Sequence, residues 1–465
     1  MTEFINKKGV YFIGIGGIGM SALALYFIGK KYAVAGYDRT PTRITQKLEE
    51  AGCNITFNDD ISTIPARFRE IKDKEDYLIV FTPAIPADNR ILSFFCNNGY
   101  NLRKRSEVLG EISSETNTIA VAGTHGKTTV STMTAHLLKQ SHVDCNAFLG
   151  GISKNYDSNL ITGNSRYTIM EADEYDRSFH RLFPQIAVIT AIDPDHLEIY
   201  GNHETMIRAY NEFGRKIRQG GTLVCKYRIR DQISAPEGVR FLTYGNEPQA
   251  DFSYSGVEHS DKGYRFDIKI PGGLLKDLQY TFPGIINIEN LTAAVAVATL
   301  CGVTENEIRK AIISFQGVKR RFDIRINTPR LAYVDDYAHH PEEIKACILS
   351  LKEYFGNRKI TAIFQPHLFT RTRDHADGFA DILDKLDEVI LLPVYPARET
   401  AIPGVSSEMI FERMKNMNKK LLSMDDIPGV LDPEKIDVLV TIGAGNIDTL
   451  VEPIEMKLRK GGGRW

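Results

Sequence analysis

The chain has 465 residues, 25% of them charged, with 57 Lys and Arg against 59 Asp and Glu, for a net charge of −2. That balance gives no electrostatic footprint for nucleic acid or an anionic membrane surface. At roughly 150 residues per domain, the length suggests three domains. The six cysteines (53, 96, 145, 225, 301 and 347) include no Cys-x-x-Cys pair. They read as reduced thiols of a cytoplasmic protein, with neither a disulfide framework nor a zinc site. Gly9 to Gly29 carries no charge and follows Lys7-Lys8, as a membrane segment would. Glycines interrupt its middle too heavily for a spanning helix, so no membrane insertion is expected.

Val10 to Ile13 reads as a buried strand, and Gly14-Ile15-Gly16-Gly17-Ile18-Gly19 then matches G-x-G-x-x-G. Met20 to Phe27 continues as an apolar helix, and a second strand, Ala33 to Tyr37, ends in Asp38. This is the dinucleotide fingerprint in its proper setting, with the acid placed for a ribose hydroxyl. Its physics requires only a diphosphate, so NAD and a UDP-sugar both satisfy it. Further strands are expected at Tyr77 to Phe81 and near Asn101-Leu102, and a helix over Ser106 to Glu111 closes the first domain near Ser113–Thr116.

A second glycine turn follows the apolar run Thr118 to Ala122: Gly123-Thr124-His125-Gly126, then Lys127, Thr128 and Thr129. Val130, Met133, Leu137 and Leu138 next form the apolar stripe of a helix. Strand, glycine turn, Lys-Thr and helix make a phosphate-binding loop. Backbone N–H groups and the lysine meet the phosphates, and the threonine hydroxyl meets Mg2+. The first glycine falls two residues late for the usual spacing, so the loop is short.

Tyr167 to Met170 is a strand that delivers Glu171-Ala172-Asp173-Glu174-Tyr175-Asp176. Four carboxylates there are costly unless solvated or met by cations, which leaves a Mg2+ site or a solvated acidic loop. The strand Ile186 to Ile192 leads to Asp193-Pro194-Asp195-His196. His196 reads as a ligand or as a structural histidine. Residues 221–282 are strand-like, and Gly263 to Ile270 alternates cleanly. Past Pro283-Gly284 a helix carries Asn287 and Asn290 on one side, able to address one planar ligand. Thr304 and Glu307 form a capping box. Lys319, Arg320 and Arg321 are either a solvated linker or a phosphate or carboxylate contact.

The last third alternates again. Strands are expected at Leu331 to Val334, Ile360 to Phe364, Val389 to Leu392 and Val438 to Ile442. Helices are expected from Pro341, around Phe379 to Leu386, near Ser407 to Met414 and after Gly445. That is another doubly wound sheet. Its strand ends carry Asp335-Asp336 with His339-His340, and His367 with Arg371 and Arg373. Adjacent histidines point apart, so His339 and His340 read as site-lining or structural. Gly461 to Trp465 reads as a disordered tail.

In order and spacing these stretches resemble the Mur ligase family over nearly the whole chain. The resemblance is carried by GIGGIGMSALA (14–24), AGTHGKTT (122–129), EADEYDRSF (171–179), DPDHLEIYG (193–201), PGIINIEN (283–290), GVKRRFD (317–323), DDYAHHPEEI (335–344), FQPHLFTRTRD (364–374), YPARE (395–399) and GAGNI (443–447). The first glycine stretch and DDYAHHP favour the alanine-adding branch over the later ligases of the pathway, and the Gly14–Met20 loop argues against the alternative branch that recycles a tripeptide. A dehydrogenase using NAD is the reading that the first domain alone would suggest.

The resemblance implies an α/β chain of three domains. Residues 1–113 would form a Rossmann-like UDP-binding domain, 114–322 a P-loop-type ATPase domain with a mixed sheet, and 323–465 a Rossmann-like ligase domain. It implies ATP-dependent joining of L-alanine to UDP-N-acetylmuramic acid through an acyl phosphate, with Mg2+ (two ions) or Mn2+, in cytoplasmic peptidoglycan precursor synthesis. Catalytic roles would fall to Lys127, Glu171, His196 and Arg371, and metal binding to Thr128, Glu171 and His196. ATP would meet Gly123 to Thr129, Asn287, Asn290, Arg321 and Asp336, and Arg320 would reach phosphate or carboxylate. The UDP-substrate would meet Gly14, Gly16, Gly17, Gly19, Met20 and Asp38. Three positions depart from the family pattern: Ile286, where His is common, Leu368, where Arg is common, and Arg398, where Gly is common.

Overall fold

A computed structural model describes residues 7–70, 73–194, 197–260, 263–397 and 399–461. The chain is α/β throughout and forms three sheets. One compact unit takes the chain up to Thr281 together with Ile288–Gln316 and holds the first two sheets. The other takes Phe282–Asn287 and Gly317 onward and holds the third.

The first sheet has five parallel strands: Gly9–Ile13, Ala33–Tyr37, Asn54–Thr56, Tyr77–Phe81 and Asn101–Lys104, in the spatial order third, second, first, fourth, fifth. The run from Val10 to Ile13 is buried on both faces, as a central parallel strand requires. Val10 and Phe12 pack with Leu23 and Phe27 of the helix Ile18–Gly29. Tyr11 and Ile13 point the other way, into Phe68, Ile91 and Phe95. The closing helix is longer than expected, Arg105–Glu115. Among the described residues no helix is long and apolar enough to cross a membrane.

The second sheet has ten strands. Asn117–Ala122 lies between Tyr167–Ala172 and Ile186–Ile189, parallel to both. Ala122 is in register with Ala172 on one side and Ile189 on the other. The residues after those three positions therefore emerge together at one edge of the sheet. The strand expected to reach Ile192 stops at Ile189, because Thr190 turns its hydroxyl onto the carbonyl of His125. The strand-like stretch resolves into Thr222–Lys226 and Arg240–Gly245, then an antiparallel tail of Phe252–Ser260, Gly263–Ile270 and Gly273–Tyr280. Glu307 accepts hydrogen bonds from the backbone N–H and hydroxyl of Thr304, as the capping motif anticipates.

The third sheet runs Asp323–Asn327, Ala332–Asp336, Val438–Ile442, Ile360–Phe364, Glu388–Leu391, Lys419–Leu421, parallel except for its first strand. The helix expected around Phe379 begins ten residues earlier and spans Phe369–Leu383. Its first turn is fixed from outside, since Glu399 accepts both the N–H and the hydroxyl of Thr370. The C-terminal helix Val451–Gly461 reaches the start of the expected tail. Residues 462–465 lie outside the described residues.

Candidate active site

The glycine turn after Asn117–Ala122 is shaped by its neighbours. Gly123 has φ +141°, and a Cβ there would fall 2.1 Å from Thr190 Oγ1, so only glycine fits. Asp193 donates its N–H to Thr124 Oγ1 at 3.1 Å, and His125 Nε2 stands 3.9 Å from Asp193 Oδ2. Gly126, at φ +83°, caps the helix Lys127–Lys139, whose first turn contains Thr128 and Thr129. A Cβ on Gly126 would meet Asn290 Oδ1 at 3.0 Å, which puts that asparagine beside the turn.

Lys127 Nζ donates to Gly123 O at 2.6 Å and to Glu174 Oε1 at 2.8 Å. Both side chains of the pair are buried, 15% and 1% exposed. Burial opposes the lysine charge, but the carboxylates of Glu174, Asp173 and Glu171 outweigh it and hold the ammonium above its usual value. Burial pushes Glu174 up, against the pull of Lys127. Thr128 Oγ1 donates to Glu171 Oε1 at 3.1 Å, and Glu171 Oε2 accepts the N–H of Gly150 at 3.0 Å. His196 lies outside the described residues.

The Gly14–Gly19 turn belongs to the same unit. Gly14 and Ile15 donate to Tyr37 O, and Gly16 donates to Asp38 Oδ2 at 2.7 Å. Asp38 thus fastens the turn itself. A cavity of about 320 Å³ runs from Gly17, Gly19 and Met20 to Glu171 and Asp173. Arg105 lines it too, a residue that no motif marks.

The second unit gathers the remaining expected residues. Asp336 accepts the N–H groups of Phe322 at 2.7 Å and Ala338 at 2.8 Å, and burial pushes it up despite Arg321 nearby. Arg320 and Arg321 flank the Tyr337 ring at 5.1 and 5.0 Å. Arg320 Nε also pairs with Asp335 at 3.3 Å. Burial raises the Asp335 carboxyl to about 6 even so. Arg371 Nη1 is 3.4 Å from His367 Nδ1, and the His367 ring is 5.8 Å from that of His339. Asn287 falls in this unit and donates to Pro283 O.

Chemically, the first unit offers a glycine turn at a helix N-terminus, a buried lysine and two hard oxygen donors, Thr128 and Glu171, with Glu171 at the end of a cavity that starts at a second glycine turn. Three family profiles match the chain: the Mur ligase family catalytic domain over residues 9–116, the Mur ligase middle domain over 121–298, and the Mur ligase glutamate ligase domain over 320–448. The chain belongs to the Mur ligase family. Among its relatives is the UDP-N-acetylmuramate--L-alanine ligase of Phocaeicola vulgatus, 47% identical over 96% of this chain and 97% of that protein. The ligase of the same name from Porphyromonas gingivalis is 48% identical over 97% of this chain and 99% of that one. The crystal structure of UDP-N-acetylmuramate-alanine ligase MurC from Thermotoga maritima superposes with a TM-score of 0.78 at 26% identity, covering 98% of each chain. The three-sheet arrangement is therefore that of a Mur ligase.

Proposed function

We propose that this chain joins L-alanine to the lactyl carboxylate of UDP-N-acetylmuramic acid, at the expense of ATP, in peptidoglycan precursor synthesis. The observation that carries the reading is identity near 47% over almost the full length to ligases of that name. ATP phosphorylates the carboxylate, the amine of alanine attacks the resulting acyl phosphate, and inorganic phosphate leaves. Transfer between two anions needs charge neutralisation and alignment. Lys127 is positioned to supply the first, at the helix N-terminus that supplies the second.

Thr128 and Glu171 offer two hard oxygen donors 3.1 Å apart beside the phosphate loop. That donor set suits Mg2+, which is commonly held by one or two protein oxygens with phosphate and water completing its shell. When bound, Mg2+ supplies charge neutralisation on the phosphates, and Mn2+ can take its place. A second ion would use Glu171 with His196. Gly14, Gly16, Gly17, Gly19 and Met20 take the UDP portion, with Asp38 holding the turn. Gly123 to Thr129 take the ATP phosphates, and Asn287 and Asn290 the adenine. Arg321 and Asp336 meet the nucleotide, and Arg371 reaches the phosphates or the substrate carboxylate. Domain limits at residues 113 and 322 complete the proposal. The nucleotide substrates and the scattered thiols support a cytoplasmic reaction.

The test is product mass. With MgATP, UDP-N-acetylmuramic acid and L-alanine, a product one alanine residue heavier is expected. A product formed only with the tripeptide L-alanyl-D-glutamyl-diaminopimelate would assign the recycling activity instead.

A further inference from the structure

We propose that Arg105 is the cation that receives the diphosphate of the UDP-sugar. This rests on reading the Gly14–Gly19 turn as the UDP site. Arg105 follows the strand Asn101–Lys104 and opens the helix Arg105–Glu115, so it stands at the carboxyl edge of the same five-stranded sheet as the glycine turn. Its guanidinium lies against Gly19: a Cβ there would fall 2.6 Å from Nη1. The glycine thus makes room for the arginine at the N-terminus of the helix Ile18–Gly29.

The cavity's charge balance points the same way. Among the described residues lining it, Arg105 is the one cation, facing the carboxylates of Glu171 and Asp173. Backbone N–H groups of the turn orient a diphosphate, but they carry only partial charge. A guanidinium fork supplies full charge and two parallel donors for phosphate oxygens. The partner Arg105 has now is weak. Nη2 stands 3.6 Å from Asp173 Oδ2, and the Asp173 side chain is 41% exposed. A long, solvated pair of this kind exchanges readily for a doubly charged ligand. Arg105 reaches Asp173 at one side, but its guanidinium rests directly against Gly19 of the glycine turn. That position selects the diphosphate.

The experiment is calorimetric titration of the full chain with UDP, UDP-N-acetylglucosamine and UDP-N-acetylmuramic acid. Arg105→Gln is expected to weaken all three by about tenfold to a hundredfold, the range for a charge-assisted hydrogen bond. The KM for ATP and the melting temperature stay as in the parent, and Arg105→Lys recovers part of the loss. Asp173→Asn, which removes the competing carboxylate, tightens UDP in the same titration, a response that a structural role for Arg105 would not produce. If Arg105→Gln lowers the melting temperature, Arg105→Lys and Asp173→Asn carry the test. Loss confined to UDP-N-acetylmuramic acid would make Arg105 a carboxylate reader and overturn the proposal. Unchanged affinity for all three in a chain whose parent binds them would also overturn it. A parent that binds none of the three would overturn the UDP reading of the glycine turn itself.

Discussion

Lys127 and Glu174 are 47 residues apart in the chain and meet at 2.8 Å, buried beside the Gly123–Gly126 turn. The lysine to which the proposed function gives phosphate neutralisation is thus held by a carboxylate just past the neighbouring strand end. On that proposal an incoming polyphosphate competes with Glu174 for it.

Replacing the lysine removes the loop's central charge. Lys127→Ala is expected to lower kcat by at least about a hundredfold, in line with losing a preorganised electrostatic group. Titration should show unchanged affinity for UDP-N-acetylmuramic acid, because Lys127 does not line the cavity. Near-parental turnover would remove the phosphate-loop assignment.

Replacing the carboxylate acts in the opposite direction on nucleotide binding. Glu174→Gln keeps the shape and drops the competing charge, so ATP binds more tightly while the protein loses on the order of 1–3 kcal/mol of stability. Denaturant unfolding and ATP titration read the two effects separately. Weaker ATP binding would mean that Glu174 assists the nucleotide.

Two buried groups give the two units opposite acid responses. His136, between Tyr156, Ala311 and Ser314, is pushed down to about 4 by burial. Its unfolded form takes a proton below about 6.5 while the folded form does not, so this contribution is lost as pH falls from about 6.5 through 4. Asp335 is raised to about 6, chiefly by burial. Its contribution is fully present below the unfolded carboxylate pKa and is lost as pH rises through about 6. Each amounts to roughly 3 kcal/mol. Hydrogen exchange, corrected for intrinsic rate, should show the helix Lys127–Lys139 less protected at pH 4.5 than at pH 7, and the strand Ala332–Asp336 more protected. His136→Gln should flatten the first response and Asp335→Asn the second.

Backbone strain supplies a further check. Leu368 caps the helix Phe369–Leu383 at φ +71°, a left-handed conformation uncommon for a leucine. Leu368→Gly should therefore stabilise the protein by about 1 kcal/mol in denaturant unfolding. A loss of stability would show that the leucine side chain holds this turn.

Much of the fold is legible in the sequence where burial on both faces makes a short run of apolar and β-branched residues. Tyr77–Phe81, Ile360–Phe364 and Val438–Ile442 have the expected limits for that reason. The start of Phe369–Leu383 is hidden, because FTRTRD has no apolar stripe and its first turn depends on Glu399, 29 residues away. The hairpin Asn146–Ser153 with Ser158–Ile161 is hidden by the glycines at its centre. At the site, the glycine turns and the acidic run are visible because spacing carries their chemistry. Glu174 as the partner of Lys127, Thr190 as the lid over Gly123, and Arg105 in the cavity follow from strand register across the sheets, which local pattern does not encode.

The most direct measurement is phosphate release from MgATP in the presence of UDP-N-acetylmuramic acid, with and without L-alanine. Release that requires both, in step with formation of the alanylated product, is the predicted result. Release that needs neither the sugar nucleotide nor the amino acid, or no release with both present, would contradict the account.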